Sequence, residues 1–187
     1  MTQSDNIVRC SWCSDDPDYV RYHDQHWGVP LHDDQGLFEL LTLEGAQAGL
    51  SWLTILKRRE GYKKAFYNFN IRKVANLNTN DLDRIMKDTG IIRNRLKILS
   101  VVRNAQTILD IQKTHTSFNN YLWQYVDNKT LNNNQAKKAK DISILMSKDL
   151  KKRGMNFVGP TICYSFIQAN GMFNDHSTSC FRYQQLN

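Results

Sequence analysis

Hydrophobic side chains recur at helical spacing along almost the whole chain, and that one feature removes most folds from consideration. Between residues 92 and 113, Ile92, Leu96, Leu99, Val102, Ile108 and Ile111 fall on or near one helical face, the pattern of an amphipathic helix packed on a core. The same spacing predicts helices over 35–48, 51–60, 61–68, 117–127, 141–153 and 160–170. Asn70 is set to cap a short helix over "IRKVANL", and Thr79 another over "NDLDRIMKD". No stretch alternates apolar and polar residues for long enough to make a strand. With three prolines and nine glycines in 187 residues, and no repeat or low-complexity linker, little divides the chain. The expected class is all-α, as a single domain over residues 1–187. The asparagine-rich stretch "DNKTLNNNQAKKAK" (127–140) breaks the periodicity and reads as an exposed loop.

Hydrophobic content of 41% and charged content of 23% are those of an ordinary soluble domain. No apolar run is long enough to predict a transmembrane helix. The N-terminal "MTQSDNIVRC" lacks the basic-then-apolar layout of a secretion signal, so a cytoplasmic protein is expected. The net charge of +7 is unevenly spread. Residues 1–36 hold seven acids against two bases, leaving +12 on the remaining 151 residues. Residues 129–153 alone carry eight Lys/Arg against two Asp. Such a remainder favours a polyanionic partner, nucleic acid first, although a solvated lysine-rich face has the same composition.

Four local features carry chemistry. "RGMNFVGPTICYSFIQANG" (153–171) reads as a helix, a tight turn with Gly154 and Gly159, and a second helix opening at Pro160. Gly159 lets backbone approach a ligand, and the free N–H groups at the start of the following helix can hold phosphate; an ordinary turn between core helices has the same grammar. "TGIIRNRLKILSVVRNAQ" (89–106) puts Arg93, Arg95 and Lys97 at a helix start, where they serve a phosphate or simply meet solvent. Cys10 and His23 near one end, with His176 and Cys180 in "HSTSC" near the other, make a Cys₂His₂ set of the kind that binds structural zinc. The i, i+4 spacing of "HSTSC" would bring its pair to one face of a helical turn. "CSWC" offers Cys10 and Cys13 as a rival pair, His26 stands close to His23, and separate buried cysteines need no metal at all; Cys163 reads as a core residue.

The fourth feature is Glu44 in "LEGAQAGLSW", with no lysine or arginine within ten residues on either side. A carboxylate at the end of an apolar helix costs free energy unless something hydrogen-bonds it. Trp12, Tyr19, Tyr22, Trp27, Phe38 and Trp52 precede or follow it within the first 52 residues. Core packing accounts for many of these aromatics; around an unpaired Glu44 they also suggest a slot for a flat ligand, such as a flipped nucleobase.

The segments "RCSWCSDDPDYVRYHDQHWGVP" (9–30), "LFELLTLEGAQAGLSWLTILKRRE" (37–60), "GIIRNRLKI" (90–98) and "KKRGMNFVGPTICYSFIQANGMFNDHSTSC" (151–180) together resemble the 3-methyladenine DNA glycosylase I family, within the helix-hairpin-helix glycosylase superfamily. The resemblance implies a helix-hairpin-helix fold and hydrolytic, monofunctional excision of 3-methyladenine from double-stranded alkylated DNA, with the free base as product. It selects Cys10, His23, His176 and Cys180 as ligands of one structural zinc tying the two chain ends, and leaves out Cys13. It makes Glu44 the catalytic-site contact to the extruded base. Trp12, Tyr19, Tyr22, Trp27 and Trp52 become the pocket, with Ser165 nearby. Gln47 and Leu50 match positions that enter the gap in the duplex, and Gly154, Gly159 and Thr161 the phosphate-binding hairpin. Many superfamily members use an aspartate shortly after the hairpin; Asp175 falls near that place, but the family resemblance does not make it catalytic. A monomer without membrane contact is expected. The rival reading is a non-catalytic, zinc-stapled DNA-binding module, in which Glu44 would pair with a protein donor and the aromatics would close into a core.

Overall fold

In the computed structural model, residues 7–186 are described; their regular secondary structure is helical, with one isolated bridge between Leu131 and Phe173 in place of any sheet. The helices are α1 (Pro17–Gln25), α2 (Asp34–Ala46), α3 (Trp52–Leu56), α4 (Arg59–Ala65), α5 (Ile71–Ala75), α6 (Thr79–Ile85), α7 (Arg95–His115), α8 (Phe118–Trp123), α9 (Ala136–Lys152), α10 (Pro160–Ala169) and α11 (Phe181–Gln185). No helix among the described residues is long and apolar enough to cross a membrane.

α7 shows how spacing becomes packing. Asn94 caps it, accepting from the Lys97 N–H, and Ile98, Val101, Val102, Ala105, Ile108 and Ile111 are buried at three- and four-residue intervals. Leu96 and Leu99 depart from the expected stripe: they are 68% and 39% exposed, because the first turns of α7 border an open groove shared with Leu82 and Phe157. α5 lies along α7, while α10 packs on both α9 and α2, so α2 is held at the centre.

Several boundaries differ from the sequence expectation. Asn78, not Thr79, caps α6, in a reciprocal capping box with Asp81. The helical spacing over 51–68 resolves into α3, α4 and a 3₁₀ turn at Tyr67–Phe69. α1 and α11 lie outside the predicted set. The segment 127–140 is more structured than a loop. Leu131 is buried, donating its N–H to Met172 O at 2.9 Å and accepting from Asn174 N–H at 2.8 Å, and α9 already begins at Ala136.

The turn between α9 and α10 is tightly built. The Gly154 N–H donates to Lys151 O and the Met155 N–H to Leu150 O, a Schellman closure that needs the left-handed backbone Gly154 supplies at φ +101°. The Asn104 amide grips Asn156 both ways, at 3.0 and 2.9 Å, and Ser147 donates to Val158 O at 2.7 Å.

Candidate functional site

α2 is apolar on its buried side, through Leu37, Phe38 and Leu41, and Glu44 continues that side at 4% exposed. Among the described residues no group donates a hydrogen bond to its carboxylate, and burial alone pushes its carboxyl up to about 8. The carboxyl opens onto a cleft of roughly 340 Å³ walled by Trp12, Tyr19, Tyr22, Trp27 and Trp52. Trp12 meets Trp27 and Tyr19 edge-on, with ring centres 4.9 and 5.9 Å apart, and Tyr22 lies 5.2 Å from Trp52. Gln47, Ser165, Gln168 and Asp175 complete the lining. The Tyr22 hydroxyl is held protonated far above the usual tyrosine range, first by burial and then by the nearby Glu44 charge. The cleft therefore offers a phenol donor beside a carboxyl acceptor. Asp175 is raised from the ordinary carboxylate range by burial, against the Gln168 amide donating to it at 2.5 Å.

Behind the aromatic wall, Cys10, His23, His176 and Cys180 are all buried with their ligand atoms within 4.8 Å of one another. Cys10 Sγ lies 3.4 Å from His176 Nδ1, and Cys180 Sγ lies 3.5 Å from both His23 Nε2 and His176 Nδ1. The outer ring nitrogens are held as metal-ligating imidazoles usually are. His23 Nδ1 sits 2.8 Å from Asp24, itself gripped by the Arg9 fork, and His176 Nε2 sits 3.1 Å from Trp27 O. Burial pushes the Cys10 thiol up to about 11 and His176 down to about 4. The cluster is able to hold a metal ion, whose charge would offset that desolvation. Cys13 and His26 lie outside it, and Cys163 is a core residue. Residues 176–180 form a turn rather than the expected helical turn, closed by the Cys180 N–H on Ser177 O.

Cluster and cleft are one unit. Cys10 precedes Trp12 by two residues, His23 follows Tyr22, and His176 follows Asp175; His176 also meets Trp27 at 4.6 Å and His23 meets Trp12 at 5.3 Å. Three of the four cluster residues, Cys10, His23 and His176, are thereby tied to a wall of the cleft.

A second hollow continues from the first past Glu44, Gln47 and Ser165 to Gly49, Leu50, Thr161 and Ile162. Gly159 caps α10 without a side chain, and a Cβ there would meet open space, so no protein neighbour demands glycine. Of the three cations at 93–97, Arg95 pairs with Asp83, Lys97 turns inward to the carbonyls of Ala46 and Ala48, and Arg93 is exposed.

The fold thus gathers every predicted pocket residue around one cleft, with Gln47, Leu50 and Thr161 on its continuation and Gly154 and Gly159 in the adjoining turn. Gln168 was not predicted; its place three residues after Ser165 on α10 was the available signal. The two features expected of the rival module are absent among the described residues: Glu44 has no protein donor, and the aromatics leave an open cleft.

Fold and site define an all-α protein with a buried acid inside an aromatic cleft. The methyladenine glycosylase family model matches residues 12–183. DNA-3-methyladenine glycosylase 1 of Escherichia coli (strain K12) is 45% identical over 186 residues, spanning 95% of this chain and 97% of that protein. A crystal structure of 3-methyladenine DNA glycosylase I aligns with a TM-score of 0.88 at 44% identity, over 93% of this chain and 98% of that one. The Staphylococcus aureus enzyme, in a structure addressing its recognition of 3-methyladenine, aligns at 0.88 with 40% identity, over 94% and 96%. The chain belongs to the methyladenine glycosylase family.

Proposed function

We propose that this chain is a monofunctional DNA glycosylase that draws 3-methyladenine out of alkylated duplex DNA into the aromatic cleft and hydrolyses its glycosidic bond. The observation that carries this reading is Glu44, a buried carboxyl without a protein partner, among aromatic faces suited to a flat base. Methylation at N3 makes the base cationic and weakens its bond to the sugar. An approaching cation favours the ionised carboxylate, so Glu44 gives up its proton to solvent as the base enters. Glu44 then accepts from the amino edge while the rings stack on the base, and an undamaged adenine, being neutral, gains less. Water attacks the sugar carbon as the bond to the base breaks; the bonding electron pair leaves with the base and neutralises it, and the proton lost by the water passes to solvent. Among the described residues no lysine lines the cleft, which supports hydrolysis rather than a Schiff-base strand cleavage.

Zinc is the metal that fits the Cys10, His23, His176 and Cys180 cluster. The sulfur–nitrogen separations of 3.4 to 3.5 Å are close to the edge of about 3.6 Å expected for a tetrahedron of zinc–sulfur and zinc–nitrogen bonds. Four protein ligands fill its shell, so zinc supplies structure and the base chemistry falls to the cleft. The α9–α10 turn acts as the helix-hairpin-helix element, with Gly154 shaping it and Gly159 and Thr161 presenting backbone N–H groups to a phosphate. Gln47 and Leu50 enter the duplex where the base has left. The chain works as a single-domain cytoplasmic monomer.

The test is chromatography of the bases freed from methylated duplex DNA. Free 3-methyladenine is the expected product; a folded protein that binds this DNA and frees no base would leave only the binding-module reading.

A further inference from the structure

We propose that Lys97 is a positioning residue that clamps the loop Gln47–Leu50 at the mouth of the cleft, and that it is not a phosphate ligand. The inference rests on the glycosylase reading for its consequence, though the clamp itself is read from geometry. α2 ends at Ala46 with no basic residue in its last turn, although a helix end leaves several carbonyls to be satisfied. Leu43 O accepts from the Gln47 N–H and Gly45 O accepts, at 3.4 Å, from the Ala48 N–H. Ala46 O and Ala48 O instead receive the Lys97 ammonium, at 2.8 and 2.7 Å. One cation from a distant helix thus closes both the end of α2 and the loop beyond it.

The Lys97 backbone is fixed at two points: its N–H donates to Asn94 and its carbonyl accepts from Ser100 at 2.6 Å. Its ammonium contacts the carbonyls of Ala46 and Ala48 and, among the described residues, no carboxylate. A lysine serving DNA phosphate would project freely, as exposed Arg93 does. The loop has little else to hold it. Ala48, Gly49 and Leu50 are exposed, Gly49 is left-handed at φ +79° with no atom near a would-be Cβ, and the one internal bond across the loop is the Leu50 N–H on Gln47 O at 2.7 Å. Glu44 and the loop line the same hollow, so slack at residues 47–50 misplaces the groups that must follow the base out of the helix.

Lys97→Met keeps the apolar stem and deletes the ammonium. We expect faster amide exchange at residues 47–50, unchanged affinity for free 3-methyladenine, and excision from duplex DNA slowed on the order of 10- to 100-fold by the misplaced loop. The salt dependence of binding to undamaged duplex should keep its slope, and Lys97→Arg should restore excision. Unchanged exchange at 47–50 would overturn the clamp. A log–log salt slope reduced by about 1 would make Lys97 a phosphate contact instead, and so overturn the proposal. Faster exchange in a chain whose wild type frees no base would keep the clamp and sink the glycosylase reading. If Lys97→Met does not fold, Lys97→Leu, which also lacks a donor, is read the same way.

Discussion

Glu44 is a carboxyl whose ionised form the fold alone disfavours. Burial raises its carboxyl from 4.5 to about 8, so between those values the folded protein keeps a proton that the unfolded chain releases. This group's contribution to stability is fully present below about pH 4.5 and is lost as pH rises through about 8. Glu44→Gln has no proton to lose. It should therefore gain thermal stability over the wild type at about pH 9, by at most about 5 kcal/mol, and show little difference at about pH 5. Calorimetry at the two pH values checks this, and a gain confined to acid would reverse the sign of the account. A carboxylate kept at such a cost is what a site retains when the partner arrives with the substrate.

At the scale of elements, the α9–α10 turn is the part on which the sequence was most explicit. Gly154 closes α9 at φ +101° and Pro160 opens α10, both at positions where local backbone rules suffice. Gly154→Ala forces a side chain into that left-handed backbone and should cost about 1–2 kcal/mol, measured by chemical denaturation, while Gly159→Ala, facing open space, should cost far less. Equal losses would mean the turn is held by something other than its backbone conformation. Elements fixed by distant partners were not legible in the same way. Leu131 is one leucine among asparagines and lysines, and its partners Met172 and Asn174 lie far along the chain. α1 is mostly polar, with only Tyr22 and His23 buried, so periodicity missed it although Asp16 caps it. Lys97 looked like a surface cation because nothing local announces that its ammonium meets Ala46 and Ala48. Leu96 and Leu99 show the converse: their spacing is right, but no element packs over them.

Across the whole molecule, the Cys10, His23, His176 and Cys180 cluster joins the start of the described chain to its end and stands directly behind Trp12 and Trp27. The cysteines and histidines near both chain ends were legible, and the resemblance chose the four that the fold brings together; the contact between cluster and cleft was not legible, since it depends on tertiary packing. Chelation should therefore do two things together: lower the melting temperature and slow base release, with one zinc per chain recovered by elemental analysis of the untreated protein. A chelated protein that melts unchanged and excises normally would separate the cluster from the site. The central claim, that the lone buried carboxyl reads the alkylated base, is tested most directly by single-turnover release of 3-methyladenine from duplex DNA by wild type and Glu44→Gln across pH. The wild-type second-order rate constant at subsaturating enzyme should climb with pH toward an apparent pKa near the value of about 8 set by burial, and the Glu44→Gln rate should be much lower and flat over that range. Glu44→Gln excising at the wild-type rate with the same pH profile would contradict it.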